Sequence, residues 1–412
     1  MKTVIVFQLF LLSFFVSLNS TAQWVYTDSV DGPVKNISTS GNNLYVCSGW
    51  SGVYISSDSG FTFTSSNNGL GNLCTRTIAA RDSLIILGTV NSVYKSINYG
   101  NSWILASNGL PPPSENIEVR DIIFKGDSVI LASWGAGIYC SLDFCQTWFP
   151  INNGLSGYNK QCLFNNGNRI FVGSTYEAPL MGGIHVSDDN GSTWIPKNSG
   201  VPMMYPTQYV VISDIAKTGQ FLFASTEGRY VLRSENNGEA WITLHNSNEY
   251  VPCLFSYSNT LLCGNGYLGI TKSDDYGITW SFINEGLQTI FDKDIRTFCR
   301  FGSYIYIGTG SNKVFRRPIE EIVTEINEFH NRINAIVYPN PISYQSTIAI
   351  PNSPGEKYSL EVFNEVGVSV YQYHALEFNQ LILRQNEYRH GLYIFRITGS
   401  KQGLFCGKFF VN

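Results

Sequence analysis

The sequence predicts an all-β protein: a seven-bladed β-propeller followed by a small C-terminal immunoglobulin-like β-sandwich. Three observations carry this reading. A pattern of the form Ser-x-Asp-x-Gly-x-Thr-Trp occurs six times, as SSDSGFTF (56–63), SINYGNSW (96–103), SLDFCQTW (141–148), SDDNGSTW (187–194), SENNGEAW (234–241) and SDDYGITW (273–280). The surrounding self-similarity has a period of about 40–47 residues, which belongs to repeat architectures rather than to a single core. Of 412 residues, 14% are charged, 14% are aromatic and 38 are Gly, a balance that fits a turn-rich β protein and not a disordered or coiled-coil chain.

Residues 1–22 read as an export leader. Lys2 supplies the positive start, Val4 to Val16 is almost wholly apolar, and Ser20-Thr21-Ala22 offers the small residues of a cleavage site. The apolar run is too short for a comfortable membrane span, and no later segment approaches the ~20 apolar residues that one needs. A net charge of -4 gives no general reason to expect nucleic-acid binding.

The repeats occupy 23–318. Each unit opens with a short segment such as VRDIIF (119–124), turns through Gly or Asn, and continues with a β-rich run such as LIILG (84–88) or IFVG (170–173). A run ending in Ser follows, as in VYKS (93–96) and VLRS (231–234), and then the acidic turn. Six positions beyond the aromatic that ends this turn stands Gly69, Gly109, Gly154, Gly200 or Gly286, closing the unit. Four short strands repeated radially make a propeller blade. A seventh unit is partial: SYIYIG (303–308) and VFRR (314–317) lack an acidic turn and outer strand. Residues 24–28, which begin Trp24-Val25-Tyr26, are expected to supply that strand and close the ring, because an open ring leaves two bare sheet edges.

In the acidic turn, Asp58, Asn98, Asp143, Asp189, Asn236 and Asp275 are placed to accept backbone N–H bonds from their own turn. The Gly supplies positive φ, and the Trp buries a large face. No nucleophile stands beside a base, so these six positions are read as structural. The units resemble Asp-box repeats, also called bacterial neuraminidase repeats, over about 24–318. That family is found in sialidases, some glycanases, sortilin-type receptors and photosystem assembly factors. The resemblance implies that the turn joins the third and fourth strands at the periphery, away from any active site. Asn98 and Asn236 replace Asp, Cys145 replaces Gly, Phe63 replaces Trp and Ala240 replaces Thr, which should weaken those copies.

Residues 319–334, IEEIVTEINEFHNRIN, read as a polar linker, and 335–412 as the second domain. That domain opens on Tyr338-Pro339-Asn340-Pro341, where each Pro biases its predecessor to extended geometry. STIAI (346–350), YSLEVF (358–363) and GLYIFRI (391–397) follow, and KFFVN (408–412) ends the chain. With the unit Leu360-x-Val362-Phe363-x-x-x-Gly367, these marks resemble the type A C-terminal sorting domain of the type IX secretion system. The resemblance implies the type IX secretion machinery as a partner, and secretion or display on the outer surface of a Gram-negative bacterium.

Nine Cys in an exported chain permit disulfides, and Cys253 with Cys263, symmetric about Tyr257-Ser258-Asn259, is the best local pair. Buried free thiols are expected for most of the others. No Cys-x-x-Cys pair or Cys/His cluster occurs, so neither a zinc site nor any other cofactor is expected.

Lys35, Arg76, Arg120, Lys160 and Arg296 align at the start of the first strand of five units. Together they would aim cations at one end of the central channel, a funnel suited to an anionic ligand on an extracellular glycan or protein. Pairing with nearby acids such as Asp121 or Asp294 is the competing reading. The resemblance to sialidases implies three Arg on a carboxylate, a Tyr–Glu nucleophile pair and an Asp acid/base. This chain lacks the Arg-Ile-Pro signature of the first sialidase blade, and it shows no obvious Tyr–carboxylate pair. The insertions Pro111–Ile117, Thr175–Gly182 and Pro202–Gln208 are the segments long enough to shape a cleft. A non-catalytic binding or assembly module is therefore expected, with a sialidase- or glycanase-type hydrolase as the alternative.

Overall fold

The computed structural model describes residues 22–412 apart from 116, 176–181, 207, 229, 247–248, 324–331, 335–336, 339, 343, 350–357, 365–367, 377–379, 400–403 and 412. The leader (all but Ala22), most of the Thr175–Gly182 insertion and Gly367 lie outside the described residues. Two compact units divide at Val323/Thr324.

The first unit contains seven four-stranded antiparallel sheets among the described residues. Their first strands are Val34–Ser40, Thr75–Arg81, Glu118–Lys125, Lys160–Asn166, Ile212–Thr218, Cys253–Tyr257 and Ile295–Phe301, numbered here as sheets 1 to 7. Sheets 1 to 6 are simple meanders. In sheet 7 the fourth strand is Val25–Ser29, antiparallel to Lys313–Pro318 with Val25 opposite Arg316 and Ser29 opposite Lys313. Each first strand contacts the next, and the seventh contacts the first, so the sheets follow one another in a closed circle.

Apolar burial is distributed around this circle. One cluster lies at each seam, for instance Tyr45, Val53, Ile78 and Leu87 between sheets 1 and 2, and Leu44, Val46, Tyr306 and Val314 between sheets 7 and 1. The second strands are covered on both faces, so runs such as Leu84–Thr89 and Arg169–Ser174 are apolar almost throughout. A strand buried on both sides has no reason to alternate.

Residues 319–323 correct the linker boundary. Ile319–Ile322 forms one helical turn, and Ile319, Ile322 and Val323 are buried in the cluster between sheets 6 and 7. The polar composition of 319–334 masked three apolar side chains that have a seam to fill. At its far end, Arg332–Asn334 runs parallel to Leu404–Val411 and belongs to the second unit.

Among the described residues that second unit has a five-stranded and a three-stranded sheet. Leu360, Val362, Tyr393, Phe395, Ile397 and Phe409 from the first share one buried cluster with Val337, Ile348 and Leu383 from the second.

The Cys253–Cys263 pairing is overturned. The hairpin turn has two residues, Ser258-Asn259, so Leu254 lies opposite Cys263 and Cys253 lies opposite Gly264. This register puts the two thiols on opposite faces of the sheet. Cys253 packs into the seam with sheet 7 and Cys263 into the seam with sheet 5; both are free.

Candidate functional site

A meander has two ends. Loops leading into the first strand and loops between the second and third strands share one end; loops after the first and third strands share the other. The acidic turns, between third and fourth strands, therefore lie opposite the starts of the first strands.

At the acidic-turn end the same bonds recur. Ser56 Oγ donates to Asp58 Oδ1 at 2.7 Å and accepts from Gly60 N at 2.8 Å; Thr62 N and Oγ1 donate to the two Asp58 oxygens at 3.0 and 2.7 Å. Asp143, Asp189 and Asp275 hold Thr147, Thr193 and Thr279 likewise. Asn98 accepts from Ser96 Oγ and Ser102 N and donates to Ser102 Oγ, and Asn236 accepts from Ser234 Oγ and Ala240 N, with no hydroxyl at 240 to bond. The Thr62 hydroxyl and then its N–H hold Asp58 down at about 2. The residue before the Gly, such as Tyr99 or Asn237, also has positive φ, a feature the pattern did not reveal.

These turns dock on the preceding sheet. A Cβ on Gly100 or Gly238 would press on the ring of Tyr45 or Phe171. The Trp residues act similarly. Trp103 N donates to Asn68 O and Nε1 to Ser66 O, both 2.8 Å; Trp148 and Trp194 repeat this one sheet further on. Beneath each backbone sits a Gly with φ of 80–92°, where a Cβ would overlap the Trp carbonyl: Gly69 under Trp103, Gly109 under Trp148 and Gly286 under Trp24. Trp24 takes the place of the missing seventh tryptophan, with N to Glu285 O and Nε1 to Ile283 O both at 2.7 Å.

At the other end, six of the seven first strands among the described residues carry a β-bulge within two residues of their start. A bulge re-aims one side chain. The bulged residues are Lys35, Arg76, Arg120, Gln161, Ser213 and Arg296. Lys160 is thus out of place by one residue, and its assignment to the funnel is corrected. It pairs opposite Ser174, is fully buried, and donates from Nζ to Ser156 O and Ser174 Oγ at 2.9 and 3.0 Å.

The other four cations converge. Burial, then the charges of Arg296, Arg76 and Arg120, hold Lys35 below the ordinary lysine value, with Glu118 opposing. Glu118 bridges Arg76 and Arg120, the latter at 3.1 Å, and Asp294 pairs with Arg296 at 2.7 Å. Asp121, the other acid expected as a partner, instead accepts Leu163 N of sheet 4 at 2.7 Å and Ile122 N at 2.8 Å. Asp214 ties sheet 5 to Leu254 N of sheet 6 at 2.9 Å. Burial raises Asp121 to about 6 and Asp214 to about 7.

The same end exposes aromatic rings. Trp50 is 63% exposed between strands of sheet 1, Trp134 is half exposed under the Arg120 guanidinium at 5.0 Å, and Tyr158, Tyr205 and Tyr267 are also exposed. The sequence reading missed these; Trp beside Gly in a second-to-third-strand turn was the signal, in GWSG (49–52) and SWGA (133–136). It also missed Tyr250, whose hydroxyl donates to Asp294 Oδ1 at 3.0 Å beside Arg296. Burial pushes the Tyr250 phenol well above its ordinary value. Among the described residues no group of three or more His, Cys, Asp or Glu could hold a metal ion, and no helix is long and apolar enough to cross a membrane.

The family described as the secretion system C-terminal sorting domain matches residues 336–412. Such a domain implies interaction with the secretion machinery, and secretion or outer-surface localisation in Bacteroidetes-type Gram-negative bacteria. Among solved structures, PorZ of Porphyromonas gingivalis, a surface component of the type IX secretion system, is 13% identical with a TM-score of 0.57, covering 94% of this chain and 60% of that one. YCF48 bound to D1 peptide is 14% identical with a TM-score of 0.56, covering 72% and 97%. The GH74 xyloglucanase of Xanthomonas campestris is 13% identical with a TM-score of 0.55, covering 80% and 59%. At these identities the likeness is one of fold: the first unit is propeller-like. The chain spans well under two thirds of the PorZ and xyloglucanase chains.

Proposed function

We propose that this protein is an exported, non-catalytic binding or assembly module. In this reading the first unit is a seven-bladed propeller of the Asp-box kind, the second is an immunoglobulin-like sorting domain, and the leader ends at Ala22. The bulged-cation end takes an anionic group on an extracellular glycan or protein. The observation that carries it is the convergence of Lys35, Arg76, Arg120 and Arg296 from four sheets, against which only Glu118 and Asp294 make salt bridges among the described residues. Partly buried cations in a concave, low-dielectric setting reinforce one another's field. Neighbours that bear on this are PorZ, a surface component, and YCF48, which binds a peptide.

The test is an array of acidic and neutral polysaccharides and acidic polypeptides probed with the whole secreted protein. Retention of an anionic class, weakened by salt and about tenfold by Arg120→Ala, is the expected result. Retention indifferent to both would sink the reading.

The hydrolase alternative has the Tyr250–Asp294 pair and the xyloglucanase neighbour in its favour. Against it, the raised phenol is a poor nucleophile, and Glu118 and Asp294 are each held by arginine. Turnover of any array member, lost in Tyr250→Phe, would reverse the choice.

A further inference from the structure

At the acidic-turn end, first strands finish by reaching to a neighbouring sheet. Ser40 Oγ donates to Asp82 O of sheet 2 at 2.9 Å, Arg81 donates to Gly126 O of sheet 3, and Lys125 Nζ donates to Gly167 O of sheet 4. The seam between sheets 7 and 1 is treated differently. Ser40 is committed to sheet 2, and Arg300 turns back over the Tyr257 ring of sheet 6 at 4.7 Å. Among the described residues no strand end spans from the 302–303 turn to the 41–42 turn. A cleft of about 510 Å³ opens there, within the size range of small-ligand sites.

Its walls are of two kinds. Phe301 and Tyr304 present aromatic surface, with the Tyr306 ring buried behind them, and Thr39, Asn42, Ser59 and Arg300 present polar groups. At the mouth, Arg316 lies over Tyr304 at 4.6 Å and over Phe61 at 4.1 Å, and donates to Ser59 O at 3.0 Å. No carboxylate lies within salt-bridge distance of Arg316 among the described residues. Two rings and a carbonyl hold this guanidinium in position, so little side-chain freedom is lost when an anion meets it.

We propose that this cleft is a second binding site, and that its ligand is a carboxylated sugar. The ring faces suit the apolar face of a pyranose, the hydroxyl and amide groups suit its alcohols, and Arg316 suits a carboxylate two-pronged. An acidic peptide fits less well. Its aromatic walls offer a stacking surface to a sugar ring, for which the aliphatic side chains of an acidic peptide are a poor substitute. The site lies at the opposite end from the bulged cations and stands independently of them.

The experiment titrates the whole secreted protein with α-1,4-linked trigalacturonate, its fully methyl-esterified form and hexaglutamate, by calorimetry. Trigalacturonate is expected to bind saturably, and the ester and hexaglutamate at least tenfold more weakly. Arg316→Gln should weaken trigalacturonate about tenfold, and Asn42→Trp, which fills the cleft and leaves Arg316 in place, should abolish binding. These titrations are made on the Arg120→Ala protein, so that any anion binding at the other end is weakened apart from this site. Thermal melting of each variant keeps loss of fold apart from loss of site. Absence of saturable binding, equal binding of hexaglutamate, or binding that Asn42→Trp leaves intact overturns the proposal. Binding seen only when Arg120 is intact assigns the ligand to the other end and overturns it equally.

Discussion

At one end of the first unit, six acidic turns repeat one set of bonds; at the other, six bulges carry Lys35, Arg76, Arg120, Gln161, Ser213 and Arg296. In the acidic turn the Ser hydroxyl and the Asp or Asn side chain are engaged within their own octapeptide, while the Trp reaches the preceding sheet. Side chains there can vary only if the bonds survive, as Asn98 and Asn236 show. At the bulged end the backbone repeats while the side chain is free to differ. The lesson is that an internal repeat used for closure uses up its own polar groups, whereas a repeat of backbone alone leaves each copy free to carry a different side chain.

The comparison can be broken most severely through the tryptophan that joins the chain's beginning to its repeat array. Trp24→Ala removes a 2%-exposed indole from the seam between sheets 6 and 7. We expect a loss of about 3–5 kcal/mol, read as a lowered midpoint in urea. An unchanged midpoint would mean that the ring does not depend on its N-terminal strand.

Acid and base should act on different fasteners. The buried ties Asp121 and Asp214 keep their protons to about pH 6 and 7 when folded, but titrate near 3.9 unfolded. The folded state therefore binds more protons between these values, and stability falls as pH rises from about 4 to 7. Asp214→Asn should flatten that slope. For the turns the sign is opposite: Asp58, held at about 2, contributes stability above its unfolded pKa that is lost as pH falls through about 2. A melting series from pH 2 to 8 resolves both.

Next in size, Arg120→Ala should weaken an anionic ligand about tenfold with a melting temperature within roughly 2 °C of wild type. A large fall in melting temperature would make Arg120 a structural ion-pair member and dissolve the contrast between the ends. The smallest effect is expected from repairing the weakest turn. Asn236→Asp with Ala240→Thr supplies the hydroxyl-to-carboxylate bond that this turn lacks and should raise the melting temperature by roughly 1–3 °C.

Much of this was legible in advance because its causes are local. The six turns, their glycines and the fourth strand from Val25 follow from the offset of a few residues along the chain. Lys160 and Cys253 were misread for one shared reason: each required a register, and a slip of one residue reverses the face of a strand. The Gln161 bulge and the two-residue turn at Ser258-Asn259 are settled by how neighbouring strands pair, which no local pattern records. Tyr250 was missed because its partner Asp294 is 44 positions away.

By itself the sequence determined the repeat period, the chemistry of each turn, the aromatic that closes the circle and the sorting tail. These depend on side chains interacting with their own backbone neighbourhood or on contiguous motifs. Only the tertiary structure decided which cations meet, which acids stand between them, and that the seam joining sheets 7 and 1 is left open at one end. Those outcomes are sums over strands brought together by ring closure, and a chain read in one dimension carries no distance between Lys35 and Arg296.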